Sequence, residues 1–334
     1  MSKKHGLKSI VVLCMLLVFL SASTIASASA TVELKWSQPQ VADHPWTVIG
    51  QKICDEVEKE TNGRIKITQY PSNSLGTETE ALNMLRDGSL AILTSGPAIF
   101  DSFYDPVQVF ALPYLFKDKE QAYKILEGEI GQKIFNDIIL KKSGIRTIAF
   151  WYFGIRTLTT KDIEVKKPSD LEGVKVRSQD DPVAINVIRA LGASPIPVSF
   201  TELYISLQTG VVQGQENPIA TIYFQKFYEV QKYIILTNHS VHLGTVSVSE
   251  KIWQELSKED QKIILDVFQK NKPLIDQEID GNNEEYIEFM KQKGVKVITP
   301  DVEAFSAYAK ESIQKAYGSN KEWMDLIKQI DDAK

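Results

Sequence analysis

The chain has 334 residues, of which 43% are apolar, 24% charged and 9% aromatic, with a net charge of −5. This composition suits one or two sizeable globular cores and excludes collagen-like, disordered and disulfide-dense chains. The acidic balance argues against nucleic acid and against anionic membrane surfaces as partners.

The first thirty residues read as a leader. Lys3, Lys4 and Lys8 come without an acid, residues 10–20 are apolar, and residues 21–30 are mostly small, ending in Ala28-Ser29-Ala30. This is the layout of a secretory signal peptide, so cleavage is expected near Ala30 and the mature protein in the periplasm. The apolar run of eleven is shorter than the roughly 20 residues a spanning helix needs. Leu13 before Cys14 does not favour a lipid-anchoring cysteine. Only Cys54 lies beyond the leader, which leaves no intrachain disulfide and no cysteine metal cluster. At about 150 residues per domain, the remaining length suggests two domains.

Strands and helices alternate from there. A strand is expected over residues 32–37, a helix over 46–59, a strand over 64–70, a helix over 78–86 and a buried strand over 90–94. Helices over 118–127 and 130–142 lead to an apolar strand over 145–153. A second series has strands at 173–178 and 211–212 and helices over 182–191, 201–208 and 219–228. Strands over 233–236 and 241–248 follow. Residues 258–293 then carry the longest helical periodicity, with Pro273 expected to kink it, and a strand at 295–298 precedes one or two closing helices. The alternation predicts two three-layer α/β domains with mostly parallel sheets. The long helix is expected to cross between them.

Catalytic signatures are missing. There is no phosphate loop, dinucleotide fingerprint, nucleophile elbow or zinc-protease helix. His239 and His242 are three apart in a strand-like run and are expected on opposite faces, a poor metal pair. The reading is a non-enzyme without cofactor or metal.

Arginine usage is more informative. Only Arg64, Arg86, Arg146, Arg156, Arg177 and Arg189 occur among 38 basic residues. Arg156 follows the apolar strand over 145–153, and Arg177 ends the short one over 173–178. Ligands of open α/β sheets bind at strand C-terminal ends, and a guanidinium there offers a planar fork to an anion. The residues alone leave open whether each arginine clamps an anion or makes an ion pair. Asn217, before Pro218, is either a helix cap or a ligand contact, and Phe200 is either a pocket wall or core.

Eight strings in order make the chain resemble the periplasmic solute-binding proteins of TRAP (tripartite ATP-independent periplasmic) transporters, the DctP family. They are YPSNSLG at 70–76, LRDGS at 85–89, VFALPY at 109–114, DLEGVKVR at 170–177, LGASP at 191–195, ELYISLQTG at 202–210, GQENP at 214–218 and FYEVQKY at 227–233. The resemblance implies a two-lobed fold that closes on a small organic carboxylate and delivers it, as a monomer, to the membrane permease subunits. It places the carboxylate-binding arginine at Arg177, a second arginine at Arg156, the motif asparagine at Asn217 and an aromatic wall at Phe200. His44 and Glu78 fall on first-lobe loops that touch ligand hydroxyls in several branches. Residues 31–153 with 243–282 are expected to form one lobe, and residues 154–242 with 283–334 the other, with the ligand in the cleft between. Two departures stand out: Gln213 where the family usually has Asp, and Gly96 where the sialic-acid branch has a carboxylate. A hydroxylated sugar acid such as a uronate is the preferred ligand. A C4-dicarboxylate, or a role as a sensing subunit for a signalling receptor, is the alternative.

Overall fold

A computed structural model describes residues 31–333. The leader and its expected cleavage point near Ala30 lie outside the described residues. β1 (Val32–Ser37) and β2 (Ile65–Tyr70) pair in parallel, from Val32 opposite Ile65 to Ser37 opposite Tyr70. The crossover is α1 (Pro45–Glu60), whose Ile49, Ile53 and Val57 are buried at helical spacing. α2 (Glu78–Asp87) leads to β3 (Ile92–Ser95), which joins the other edge of β1 in parallel. α2 opens on a reciprocal cap: the Thr77 hydroxyl accepts from the Glu80 N–H, and the Glu80 carboxylate accepts from the Thr77 N–H. Such a cap stabilises a helix start by about 1 kcal/mol and fixes the orientation of its first turn.

Two long strands join the halves of the molecule. β4 (Ile145–Thr160) continues seven residues beyond the expected end of its apolar run. Gly154 explains the difference. Its φ of +122° is open to glycine, and a Cβ there would meet Pro218, so the chain bulges between Tyr152 and Gly154 and pairing resumes beyond. In the second lobe, β5 (Lys175–Ser178) lies parallel to β6 (Ser194–Pro197) and to β7 (Gly214–Pro218), with α3 (Pro182–Ala190) connecting the first two. The short strand expected at 211–212 is thus displaced to β7, which carries the GQENP string. β8 (Tyr233–Ser249) is one strand where two were expected. Its interruption is local: Asn238 takes φ 44°, and regular pairing with β4 lapses between Ile235 and Ser240. β9 (Lys296–Ile298) pairs with β8.

The two expected sheets are therefore one nine-stranded sheet, ordered β2-β1-β3-β8-β4-β7-β5-β6 with β9 on β8. Its ends are parallel, and the crossing pair β4–β8 is antiparallel. The architecture is α/β and two-lobed.

The long periodic stretch forms α4 (Lys258–Gly281) and α5 (Asn283–Gln292). Pro273 sits inside α4, and the break comes at Asn282, with φ −106° and ψ 0°. Ile264, Val267, Phe268, Ile275 and Ile279 of α4 pack in the first-lobe core with Trp36 and Trp151, whereas Met290 of α5 packs in a second-lobe core. The helix pair thus spans both lobes. α6 (Val302–Tyr317) sends Phe305 into the second lobe. α7 (Lys321–Asp332) departs from the expected division of the chain. Its Trp323, Leu326 and Ile330 join the first-lobe core, and the Trp323 indole donates to Asp105 at 2.5 Å. Its amphipathic pattern specified a helix, but no periodicity says which lobe covers it. Among the described residues no helix is long and apolar enough to cross a membrane.

Candidate functional site

Between the lobes lies a cavity of about 820 Å3. It opens at the C-terminal ends of β3, β5, β6 and β7, where Gly96, Arg177, Val198 and Asn217 line it. This is where parallel strands present their chain ends to ligands.

The second-lobe wall carries the charge. Arg177, near the end of β5, is only 3% exposed. Its Nε donates to the Val198 carbonyl at 2.9 Å, and its guanidinium lies 5.8 Å from the Phe200 ring centroid. Two adjacent strand ends therefore aim this one side chain. Among the described residues the guanidinium makes no other hydrogen bond, which leaves its terminal N–H groups for the cavity. Burial pulls its pKa down to about 10, and it remains a cation at neutral pH.

Arg156 is differently engaged. Its Nε and Nη2 grip the two carboxylate oxygens of Glu216 at 2.5 and 2.6 Å, and Nη2 also donates to the Glu216 carbonyl at 2.8 Å. Glu216 meets His239 Nε2 at 3.0 Å, and His239 Nδ1 meets the Thr237 hydroxyl at 2.9 Å. Burial alone would raise the Glu216 carboxyl, but Arg156 and His239 outweigh it and hold it well below the usual carboxylate range. This chain fixes Arg156 beside the cavity. Asn217, also buried, donates to the Gln215 side-chain oxygen at 2.6 Å. It lies in β7 and does not cap the next helix, because Pro218 holds the cap position.

The first-lobe wall is one face of α2. Glu78, Thr79, Leu82, Asn83 and Arg86 recur at helical spacing and line the cavity together. Burial pushes the Glu78 carboxyl up to about 7, with Arg177 and Arg156 opposing the rise and Asp181 adding to it. Gln40 Oε1 and Asn73 Oδ1, on loops after β1 and β2, are buried acceptors with no hydrogen-bond partner among the described residues. Such an atom costs roughly 1–3 kcal/mol unless a donor arrives.

The structure thus gathers Arg177, Arg156, Asn217, Phe200 and Glu78 around one cavity. His44 is not among its lining residues. Pro45 opens α1, so His44 becomes its cap, and its Nδ1 accepts from the Trp46 N–H at 3.2 Å. The ring is fully buried among Trp46, Phe153 and Phe224. His239 and His242, expected on opposite faces, both border the cavity, because β8 is irregular just before Ser240. Sequence reasoning missed Glu216, although it stands inside the quoted GQENP string, and it missed Gln40, Asn73 and His242, which no spacing marks. Among the described residues no group of three or more His, Cys, Asp or Glu is arranged to hold a metal.

The model of the bacterial extracellular solute-binding protein family 7 (DctP) matches residues 38–320. The chain belongs to this family. It is a TRAP solute-binding protein, the extracytoplasmic, non-enzymatic component that works with a membrane permease. The sialic acid-binding periplasmic protein SiaP of Vibrio cholerae is 33% identical over 304 residues, covering 91% of this chain and 94% of its own. A TRAP solute-binding protein of Roseobacter denitrificans with bound L-galactonate is 30% identical with a TM-score of 0.83, covering 89% of this chain and 98% of its own. One from Polaromonas, bound to D-erythronate, is 29% identical with a TM-score of 0.83, covering 90% and 98%.

Proposed function

We propose that this protein captures a hydroxylated monocarboxylic acid, an aldonate or uronate, and hands it to its permease as a monomer. The observation that carries the reading is Arg177: a buried, aimed cation whose terminal N–H groups have no partner among the described residues. A ligand carboxylate supplies the missing bidentate acceptor. Arg156 and Asn217 flank it, Phe200 walls it, and Glu78 faces it from the other lobe. The preference for hydroxyls rests on Gln40 and Asn73, whose idle oxygens need donors. Hydroxyls donate, and carboxylates do not. The galactonate and erythronate held by the two similar structures support the same class. Export with removal of the leader near Ala30 follows from the sequence layout.

A second reading has one observation in its favour. Arg86, exposed and without an ion pair among the described residues, lines the cleft opposite Arg177's lobe and would meet a second carboxylate. Calorimetry with D-galactonate, D-galacturonate, D-erythronate, succinate and malate separates the two. Micromolar or tighter binding of a hydroxy monoacid is expected. Tight binding of succinate with no response to the sugar acids would replace the first reading by the second.

A further inference from the structure

The three histidines of the described residues are spent in different ways. His239 uses both ring nitrogens, on Thr237 and Glu216. His44 caps α1 behind the cavity wall. His242 projects from β8 opposite Gly154 and lines the cavity, and neither of its ring nitrogens has a hydrogen bond among the described residues. Only ring packing holds it, with the Phe153 centroid 5.7 Å away at 65°.

We propose that His242 is a ligand-binding residue that reads one hydroxyl of the bound acid, with Gly96, just past the end of the neighbouring strand β3, keeping its Nε2 accessible. The inference rests on the reading of the ligand as a hydroxylated acid. Burial, with Arg156 adding to it, pushes this imidazole down to about 3, so at neutral pH it carries one N–H and one lone pair. A hydroxyl also offers one donor and acceptor lone pairs and matches both. A methylene in its place would leave the imidazole without a partner.

Gly96 supports the assignment independently. Its φ of −71° and ψ of 153° are ordinary extended backbone, so conformation does not require glycine there. What the missing side chain does is leave space: a Cβ would lie 3.4 Å from His242 Nε2. Any larger residue would fill the approach to that nitrogen.

The test uses the mature protein and D-galactonate as probe. His242→Phe keeps a ring and removes both polar atoms, and it should weaken binding tenfold or more, the loss of about one buried hydrogen bond. His242→Gln, which restores a donor and an acceptor, should recover part of that loss. Gly96→Val leaves the imidazole in place and covers it, and it should reproduce the loss. In the wild type, the side-chain 15N resonances of His242 should shift on adding D-galactonate with the ring remaining neutral. Wild-type affinity in a folded His242→Phe overturns the inference alone, and if that variant does not fold, wild-type affinity in Gly96→Val does so. Failure of the wild type to bind D-galactonate or any other hydroxy acid overturns the functional reading, and this inference with it.

Discussion

On the second-lobe wall, Arg156 is tied to Glu216 by three hydrogen bonds, Glu216 to His239, and Arg177 to the Val198 carbonyl. On the first-lobe wall, Glu78 and Arg86 make no ion pair among the described residues, and Gln40 and Asn73 hold unpaired acceptors. One wall is bonded internally, and the other carries polar groups without a partner among the described residues. A rigid cationic wall serves the group that all organic acids share. The unfinished wall can differ from relative to relative without disturbing it. Substitutions on the two walls should therefore fail differently: on the first-described wall for every acid, on the other for some.

The largest effect is expected at the anchor. Arg177→Ala should leave the melting temperature near wild type and weaken every acid by about two to four orders of magnitude, the roughly 3–5 kcal/mol that follows from removing one partner of a desolvated ion pair. Arg177→Lys should rescue little, because an ammonium cannot reproduce the planar fork. Calorimetry decides it, and near-normal binding in Arg177→Ala would locate the anchor elsewhere.

Next in size is the support behind it. Glu216→Gln removes the carboxylate that Arg156 grips and leaves a buried cation without its counter-charge, a loss of roughly 3–5 kcal/mol in stability. The pH dependence has a definite sign. The folded Glu216 carboxyl lies below its unfolded value near 4.3, so its contribution is complete above that value and is lost as pH falls through the folded one. Urea unfolding should show a wide gap between wild type and variant at pH 7, narrowing only in strong acid. Equal stabilities at pH 7 would mean that the chain from Arg156 to Thr237 does not hold the wall.

These two residues also show what the sequence disclosed. Arg177 was legible because strand periodicity put a rare arginine at a strand end, a position with a general meaning in α/β sheets. Glu216 stood in a quoted motif but was not read as a site residue. Its role depends on β4 and β7 pairing across 60 residues of chain, which no local pattern encodes. His44 misled for a local reason: the Pro45 beside it opens a helix, and the capping ring turns inward to lie fully buried among Trp46, Phe153 and Phe224, off the cavity lining. The long helix was legible from its period, whereas the return of α7 to the first lobe depends on Trp323 finding Asp105.

A smaller effect is expected at Glu78, on the unfinished wall. Burial raises its folded pKa to about 7, above the unfolded value, so the neutral form is the one the fold favours. The penalty is absent below the unfolded pKa, grows as pH rises toward 7, and is constant beyond. Glu78→Gln should therefore melt with wild type near pH 4 and above it at pH 8. The same variant should weaken D-galacturonate several-fold and leave succinate unaffected or improved, since it removes an acceptor for hydroxyls and a charge that repels a second carboxylate. Thermal melts across pH and calorimetry with both acids test it. Parallel melting curves would show that Glu78 is solvated and not part of the wall.

The smallest effect, and the sharpest test between ligand classes, is at Arg86. It shares one face of α2 with Glu78, eight residues on, which is about 12 Å along the axis. Its side chain leans back toward the helix start and shortens that span. A hydroxy monoacid clamped at Arg177 presents only neutral groups at this end, so Arg86→Ala should change its affinity little. A diacid would place a second charge there, but Arg86 is exposed, and exposed pairs contribute about 0.2–1 kcal/mol, a few-fold at most. That contribution should fade as salt rises past roughly 0.1 M, where screening reaches across about 10 Å. Calorimetry of Arg86→Ala with D-galactonate and malate at low and high salt therefore has a clear expectation: no response for the first, and a small, salt-sensitive one for the second. A loss beyond tenfold for malate, retained at high salt, would mean that the cleft closes over Arg86 and desolvates it. The cleft would then have two charged anchors, and its ligand would be a dicarboxylate.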